Sequence, residues 1–249
     1  MSAQSHSMIM LRRNAKHIAR NPTSVFNAVL MPIVIMLMFV YMFGDAFSVG
    51  VDYIDYATPG LILLTVCYGL GTTAVAVNSD MTKGIINRFK VMHVTRGAVL
   101  NGHVVATLLT SVVAISALIG VAFLLGFSPA ASPLQWAGVA GLILLLGTAT
   151  SWLTIALGLN AKTPETAALA AVPLMMLPFF SSAIVPAEKM GPGLRQFAEY
   201  QPFTPIIETL RGLLNGTPST SHAIAALAWC LGIALIGYLW ASASFRKRA

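Results

Sequence analysis

The chain has 249 residues, of which 57% are hydrophobic and only 9% are Asp, Glu, Lys or Arg. A water-soluble domain carries about 25% charged residues, so a protein wetted on every side is excluded. The net charge of +7 would suit nucleic acid, but lysine and arginine also gather in the cytoplasmic loops of membrane proteins, and that reading needs no further partner. Cys67 and Cys230 both stand inside apolar stretches, which implies packing and no disulfide framework. No cleavable secretory signal is expected, because the first basic cluster leads into a full-length apolar run without a small-residue cleavage site.

Five runs contain no Asp, Glu, Lys or Arg: residues 21–44, 56–79, 97–161, 166–187 and 212–245. Each reaches the roughly 20 residues that a spanning helix requires. The third is long enough for two spans and is divided by FSPAASP at 127–133. The expected fold is an all-α integral membrane protein, a single transmembrane domain over residues 1–249 with six transmembrane helices.

In chain order, residues 1–22 hold a helix lying on the membrane surface. Met8, Leu11, Ala15 and Ile18 form an apolar stripe beside the cations Arg12, Arg13, Lys16 and Arg20, and Asn21-Pro22 ends it. Span 1 covers residues 25–43, with Pro32 expected to kink it. Its methionines do not share one face, so they read as packing and not as a metal site. The loop at 44–55 holds Asp45, Asp52 and Asp55 at spacings that do not match a calcium loop. Span 2 covers 56–77, where Gly60, Gly69 and Gly71 permit close helix approach.

The stretch 80–101 is distinct, because it carries Lys83, Arg88, Lys90 and Arg96 between two uncharged runs. Ile85, Phe89 and Met92 fall on one helical face, and Lys83, Asn87 and Lys90 on another, so an amphipathic helix is expected there. Gly84 allows close backbone approach.

Spans 3 and 4 cover 99–125 and 135–157. Thr163 reads as a cap, with Pro164 at the first helical position and Glu165 at the positive end of the following helix. Span 5 covers 166–185 and contains Pro173 and Pro178, each expected to bend it.

The segment 186–216 then predicts two short amphipathic helices. Leu194, Phe197 and Tyr200 are the apolar positions of the first, with Arg195 and Glu199 spaced for an ion pair. Thr204-Pro205 reads as the cap and first turn of the second, which runs to Leu214 and pairs Glu208 with Arg211. A hairpin dipping into the outer membrane face and a loop packed on the spans both fit this pattern. Span 6 covers 223–243, and Arg246, Lys247 and Arg248 close the chain.

Twelve Lys and Arg fall on the side of both termini and three on the other, which places both termini in the cytoplasm. No HExxH, GxSxG, CxxC or phosphate-binding GxxxxGK motif occurs, so no catalytic, metal or cofactor site is expected. No Asp, Glu, Lys or Arg lies centrally in any span. His103 and His222 stand near span ends, which lowers the case for an ion-coupled carrier. A separate ATPase engaging the basic connector is the economical source of energy.

Three segments then carry a resemblance: NSDMTKGIINRFK at 78–90, TRGAVLNG at 95–102 and QPFTPIIETLRGLLNG at 201–216. The chain resembles a permease subunit of the type-2 ABC exporter family, of the daunorubicin-resistance type. That resemblance implies a homo- or heterodimer of permeases in the bacterial plasma membrane, bound to two ATP-binding subunits that hold the ATP and magnesium. It implies a coupling helix at 82–92, with Lys83, Gly84, Ile85, Arg88, Phe89, Lys90 and Met92 meeting the ATP-binding subunit. It also implies paired external helices at 194–200 and 205–214, carrying Arg195, Glu199, Pro205, Glu208 and Arg211. Asn87 stands where members often have an acidic residue, and His93 where they often have proline.

The expected function is ATP-driven export of a hydrophobic or amphipathic cargo, a drug-like molecule or a lipid. The alternatives are export of a polysaccharide or glycolipid, an ion-coupled carrier, or a scaffold that transports nothing.

Overall fold

The computed structural model describes residues 22–44, 52–82 and 96–248. The surface helix with Arg12, Arg13, Lys16 and Arg20 lies outside the described residues, as does the 83–92 part of the expected coupling helix. The described residues form α-helices and short 3₁₀ turns without a strand. The helices are α1 (Pro22–Phe43), α2 (Tyr53–Tyr68), α3 (Leu70–Thr82), α4 (Arg96–Leu124), α5 (Pro133–Asn160), α6 (Pro164–Met176), α7 (Leu194–Tyr200), α8 (Phe203–Leu214) and α9 (Thr220–Arg248).

Four helices among the described residues are long and apolar enough to cross a membrane: Tyr53–Thr82, Val99–Leu124, Pro133–Asn160 and Thr220–Lys247. Ala28–Met42 and Pro164–Phe180 are shorter apolar helices. The first long helix is α2 and α3 joined at Gly69, whose N–H bonds the Cys67 carbonyl in a tightened turn.

Helix ends follow local chemistry. Ser132 and Gln135 cap α5 reciprocally around Pro133, and Thr163 caps α6 with Thr166 as its partner. The helix from Pro164 is shorter than the sequence predicts. It tightens into a 3₁₀ turn at Leu177–Phe180, which contains Pro178, and the Ser181 hydroxyl donates to the Pro178 carbonyl. Pro173 lies inside α6.

The core is built around α2. From Tyr53 to Cys67 every residue but Asp55 is buried, as a helix that is apolar all round requires. Its neighbours are α1, α4, α5, α8 and the turn after α6. Gly60 permits the last of these contacts, since a Cβ there would lie 2.3 Å from the Ala183 carbonyl oxygen. Gly69 does not act as the sequence predicts: a Cβ there would meet nothing within 4 Å, so it marks the joint and not a close approach.

A second cluster lies around Val77, Val104, Trp152, Leu159 and Phe245. There α9 packs along α5, with Gly237 against the Trp152–Leu153 backbone and Tyr238 edge-on to Trp152 at 5.0 Å. Ala74 of α3 meets Ala167 and Ala171 of α6 in a third, small-residue cluster. Large apolar side chains of α1, α4 and α9, among them Phe26, Leu124 and Ile236, point away from the bundle.

Gly60→Ala is expected to destabilise the detergent-solubilised protein by about 1–3 kcal/mol, because the obstacle is backbone. Gly232→Ala, where the added Cβ meets nothing within 4 Å, should not lower Tm and should raise it slightly through helix propensity. Thermal unfolding of the two variants side by side checks both.

Candidate functional site

Four places carry chemistry: a clasp where α8 meets the start of α2, a groove beside α7, an apolar pocket in the bundle, and the end of α3. The clasp is centred on Arg211. Its guanidinium carbon lies 3.9 Å from the centroid of the Tyr56 ring. Nε and one terminal nitrogen donate to the Tyr56 carbonyl at 3.3 and 3.2 Å, and that terminal nitrogen also donates to the Ser182 carbonyl at 2.8 Å. The other terminal nitrogen pairs with Glu208, one turn back on α8.

The Tyr56 hydroxyl donates to the same Ser182 carbonyl at 3.0 Å, and the Tyr53 hydroxyl donates to the Ile184 carbonyl at 3.3 Å. Asp55 accepts from the Ser128 N–H at 2.9 Å, bringing in the α4–α5 loop. The spacing of Glu208 and Arg211 predicts their pairing, but nothing in the sequence indicates that the cation would span two distant backbone segments.

The helices beside the clasp differ from each other. α8 buries Phe203, Pro205, Ile206, Ile207, Leu210 and Leu214. It begins at Phe203, so Thr204 is not its cap. The Thr204 hydroxyl instead accepts from the Ser182 N–H at 3.4 Å. On α7, Leu194, Phe197 and Tyr200 are all exposed and only Ala198 is buried. Arg195 Nε donates to Glu199 at 2.7 Å, and this bond, ahead of the charge of Glu199, raises the Arg195 pKa. Exposed pairs of this kind add little to stability. Gln201 joins the two helices and donates to the Phe180 carbonyl at 2.6 Å.

A groove of about 740 Å³ runs beside α7, lined by Leu177, Phe197, Glu199, Tyr200 and Pro202 among others. A small apolar pocket of about 70 Å³ lies between α1, α2 and α6, walled by Pro32, Ile35, Leu61, Leu64, Met175 and Phe179. Drug-sized ligands occupy about 300–1,000 Å³, so the pocket as it stands holds only a fragment of one.

At the end of α3, Asn78 is fully buried. Its Nδ2 donates to the Gly158 carbonyl at 3.1 Å and to the Ala161 carbonyl at 2.8 Å. Two residues on, Asp80 Oδ2 lies 3.3 Å from His103 Nε2 of α4. His103, which the sequence presents as a bystander at a span end, therefore has a specific acidic neighbour. Higher up, the Thr73 and Thr107 hydroxyls meet at 2.8 Å. Of the expected coupling helix only Thr82 falls within the described residues, where its hydroxyl donates to the Asn78 carbonyl at 3.1 Å.

Among the described residues no three His, Cys, Asp or Glu side chains converge to hold a metal. Cys67 and Cys230 are buried and unbridged.

Comparison with known sequences decides the family, since the profile of the ABC-2 type transporter matches residues 6–215. The chain belongs to the ABC-2 type transporter family. It is 29% identical over 198 residues to the daunorubicin resistance ABC transporter permease protein DrrB1 of Streptomyces coeruleorubidus, covering 79% of this chain and 70% of that one. It is 27% identical over 240 residues to the probable doxorubicin resistance ABC transporter permease protein DrrC of Mycobacterium tuberculosis, covering 93% and 85%. As a type-2 ABC permease the chain is a multi-pass membrane protein and a membrane subunit of an ABC exporter. Within this permease the clasp joins α2, α8 and the turn after α6, and the end of α3 leads into the segment the sequence assigns to coupling.

Arg211→Met keeps the stem but removes the clasp, leaving the Ser182 carbonyl and Glu208 with fewer partners. A loss of about 2–3 kcal/mol is expected, read as a lower Tm and faster proteolysis between α6 and α8. Arg211→Lys, which cannot form the fork, should fall between the two.

Proposed function

We propose that this permease forms the membrane half of an ATP-driven exporter, working with a separate ATP-binding subunit and a second permease subunit. The family match over residues 6–215 carries this reading. The cargo is a hydrophobic or amphipathic molecule, drug-like or lipid. The relatives named for daunorubicin and doxorubicin resistance support that class, as does the apolar wall between α1, α2 and α6.

The permease crosses the bacterial plasma membrane six times, as a single domain with both termini in the cytoplasm. To the four long helices α1 and α6 add the remaining two. The 22 residues of α1 rise about 33 Å. The helix and 3₁₀ turn of Pro164–Phe180 rise about 28 Å, close to the ~30 Å of a hydrocarbon core. Cargo enters between the two protomers near the inner leaflet. The 70 Å³ pocket widens only in another state of the cycle or against the second protomer.

The energy comes from the partner, which binds the ATP and magnesium. Residues 82–92 meet it, with Ile85, Phe89 and Met92 entering a groove and Arg88 and Lys90 meeting acidic rim groups or lipid phosphates. ATP favours the closed form of the partner, and that preference shifts the permease between its states.

In vesicles holding the full complex, Phe89→Asp should leave membrane insertion intact and bring ATP-driven efflux of an anthracycline probe to background. Undiminished efflux would remove the coupling role from this segment. Co-purification of an ATPase tests the partner itself, and transport driven by an ion gradient without one would overturn the reading. A reporter appended after Ala249 should signal from the cytoplasm; an external signal would refute the topology.

A further inference from the structure

The NSD portion of the first family-like segment has no role in the reading above, yet its first and third residues make specific contacts. Successive helical residues are turned by about 100°, so Asn78 and Asp80 face nearly opposite sides of α3. Asp80 faces His103 on α4. Asn78 faces the last turn of α5 and the residue that follows it, through Gly158 and Ala161. We propose that Asn78 is a positioning residue that locks the end of α3 to the α5–α6 turn, so that a displacement of residues 82–92 reaches α6 and the apolar pocket. The proposal rests on the reading of 82–92 as the coupling segment.

Three features support the lock. The first is the contact it holds. A Cβ on Gly158 would lie 2.6 Å from the Ala74 carbonyl oxygen, and Ala74 also meets Ala167 and Ala171 on α6. Surfaces of glycine and alanine let helices approach closely, but they present no ridges that fix axial register. Two hydrogen bonds from one buried amide add a directional constraint to the packing of Val77 in its cluster, and both of its donors are used.

The second feature is the joint at Gly69. α2 lies in the large core, whereas Ala74 and Val77 of α3 lie in the two other clusters. Space is open around Gly69, and the Thr72 hydroxyl bonds the Gly69 carbonyl at 2.7 Å. Gly69 is therefore the joint at which the end of α3 can turn against α2.

The third is where α6 leads. Met175 and Met176 at its far end, with Phe179 of the 3₁₀ turn that follows, form one wall of the 70 Å³ pocket against Leu61 and Leu64 of α2. A shift of the Ala167–Ala171 end of α6 with α3, against a far end that Leu174 and the turn after it hold to the large core, alters the wall that α6 presents to α2.

The test uses the full permease with its ATP-binding subunit in lipid nanodiscs, in a Cys67→Ala, Cys230→Ala background. Spin labels at Ser79→Cys and Lys162→Cys report the locked pair. A second pair at Asp52→Cys and Lys162→Cys reports movement against the start of α2. ATP binding should change the 52–162 distance and leave the 79–162 distance unchanged. Adding Asn78→Leu should make the 79–162 distance nucleotide-dependent and lower transport per ATP hydrolysed about fivefold or more, with ATP hydrolysis itself retained.

A nucleotide-dependent 79–162 distance in the chain with Asn78 intact overturns the lock alone. So does unchanged transport per ATP in a folded Asn78→Leu complex. If neither distance responds to ATP and Phe89→Asp also exports normally, the coupling reading fails and the lock fails with it. Should Asn78→Leu not assemble, Asn78→Asp keeps the size and turns a donor into an acceptor facing two carbonyls. The distances in the Asn78-intact chain decide the question in either case.

Discussion

Arg211 supplies donors where the helices leave acceptors over. In a bundle surrounded by lipid, a carbonyl without a donor is costly, since no water reaches it. The turn after α6 leaves such carbonyls at Ser182 and Ile184, directly beside the buried start of α2. The guanidinium of Arg211 and the hydroxyls of Tyr53 and Tyr56 satisfy them from two directions. The Gly60 contact with Ala183 brings the turn close enough for this to happen. The turn at Ser182–Ile184 is therefore bonded to the start of α2, and α8 is joined to both by the same cation.

The two ends of the α2–α3 rod are built on different principles. At the clasp, large aromatic and charged groups interlock in one geometry. At the other end, alanine and glycine allow a close contact, and Val77, Asn78 and the Asp80–His103 pair fix the end of α3 against its neighbours. The first joins α2 to the turn after α6, and the second joins the end of α3 to the α5–α6 turn.

The pocket between α1, α2 and α6 lies between these ends. Its walls belong to helices with different attachments: α2 is enclosed by the large core, and α6 meets α3 through Ala167 and Ala171 and the large core through Leu174. At about 70 Å³ it is closed to a drug-sized molecule.

Much of the fold is legible in the amino acids alone. Uncharged runs locate the long helices, because charged side chains are expelled from hydrocarbon regardless of topology. Pro133 and the Thr163–Pro164 step announce helix starts through purely local chemistry. The motif at 201–216 points to α8 and to the Glu208–Arg211 pair, which are three residues apart on one helix. What the sequence leaves open is which neighbours these groups reach. Arg211 acts on Tyr56 at a separation of 155 residues, and Asn78 on Ala161 at 83. Gly60 and Gly69 look alike in sequence, yet one is a contact and the other a joint. The Leu194, Phe197 and Tyr200 stripe, which periodicity assigns to an apolar face, turns away from the bundle while that of α8 turns in. Local spacing determines what each helix can present, but only packing decides which face is buried, because burial is a property of the neighbours and not of the segment itself.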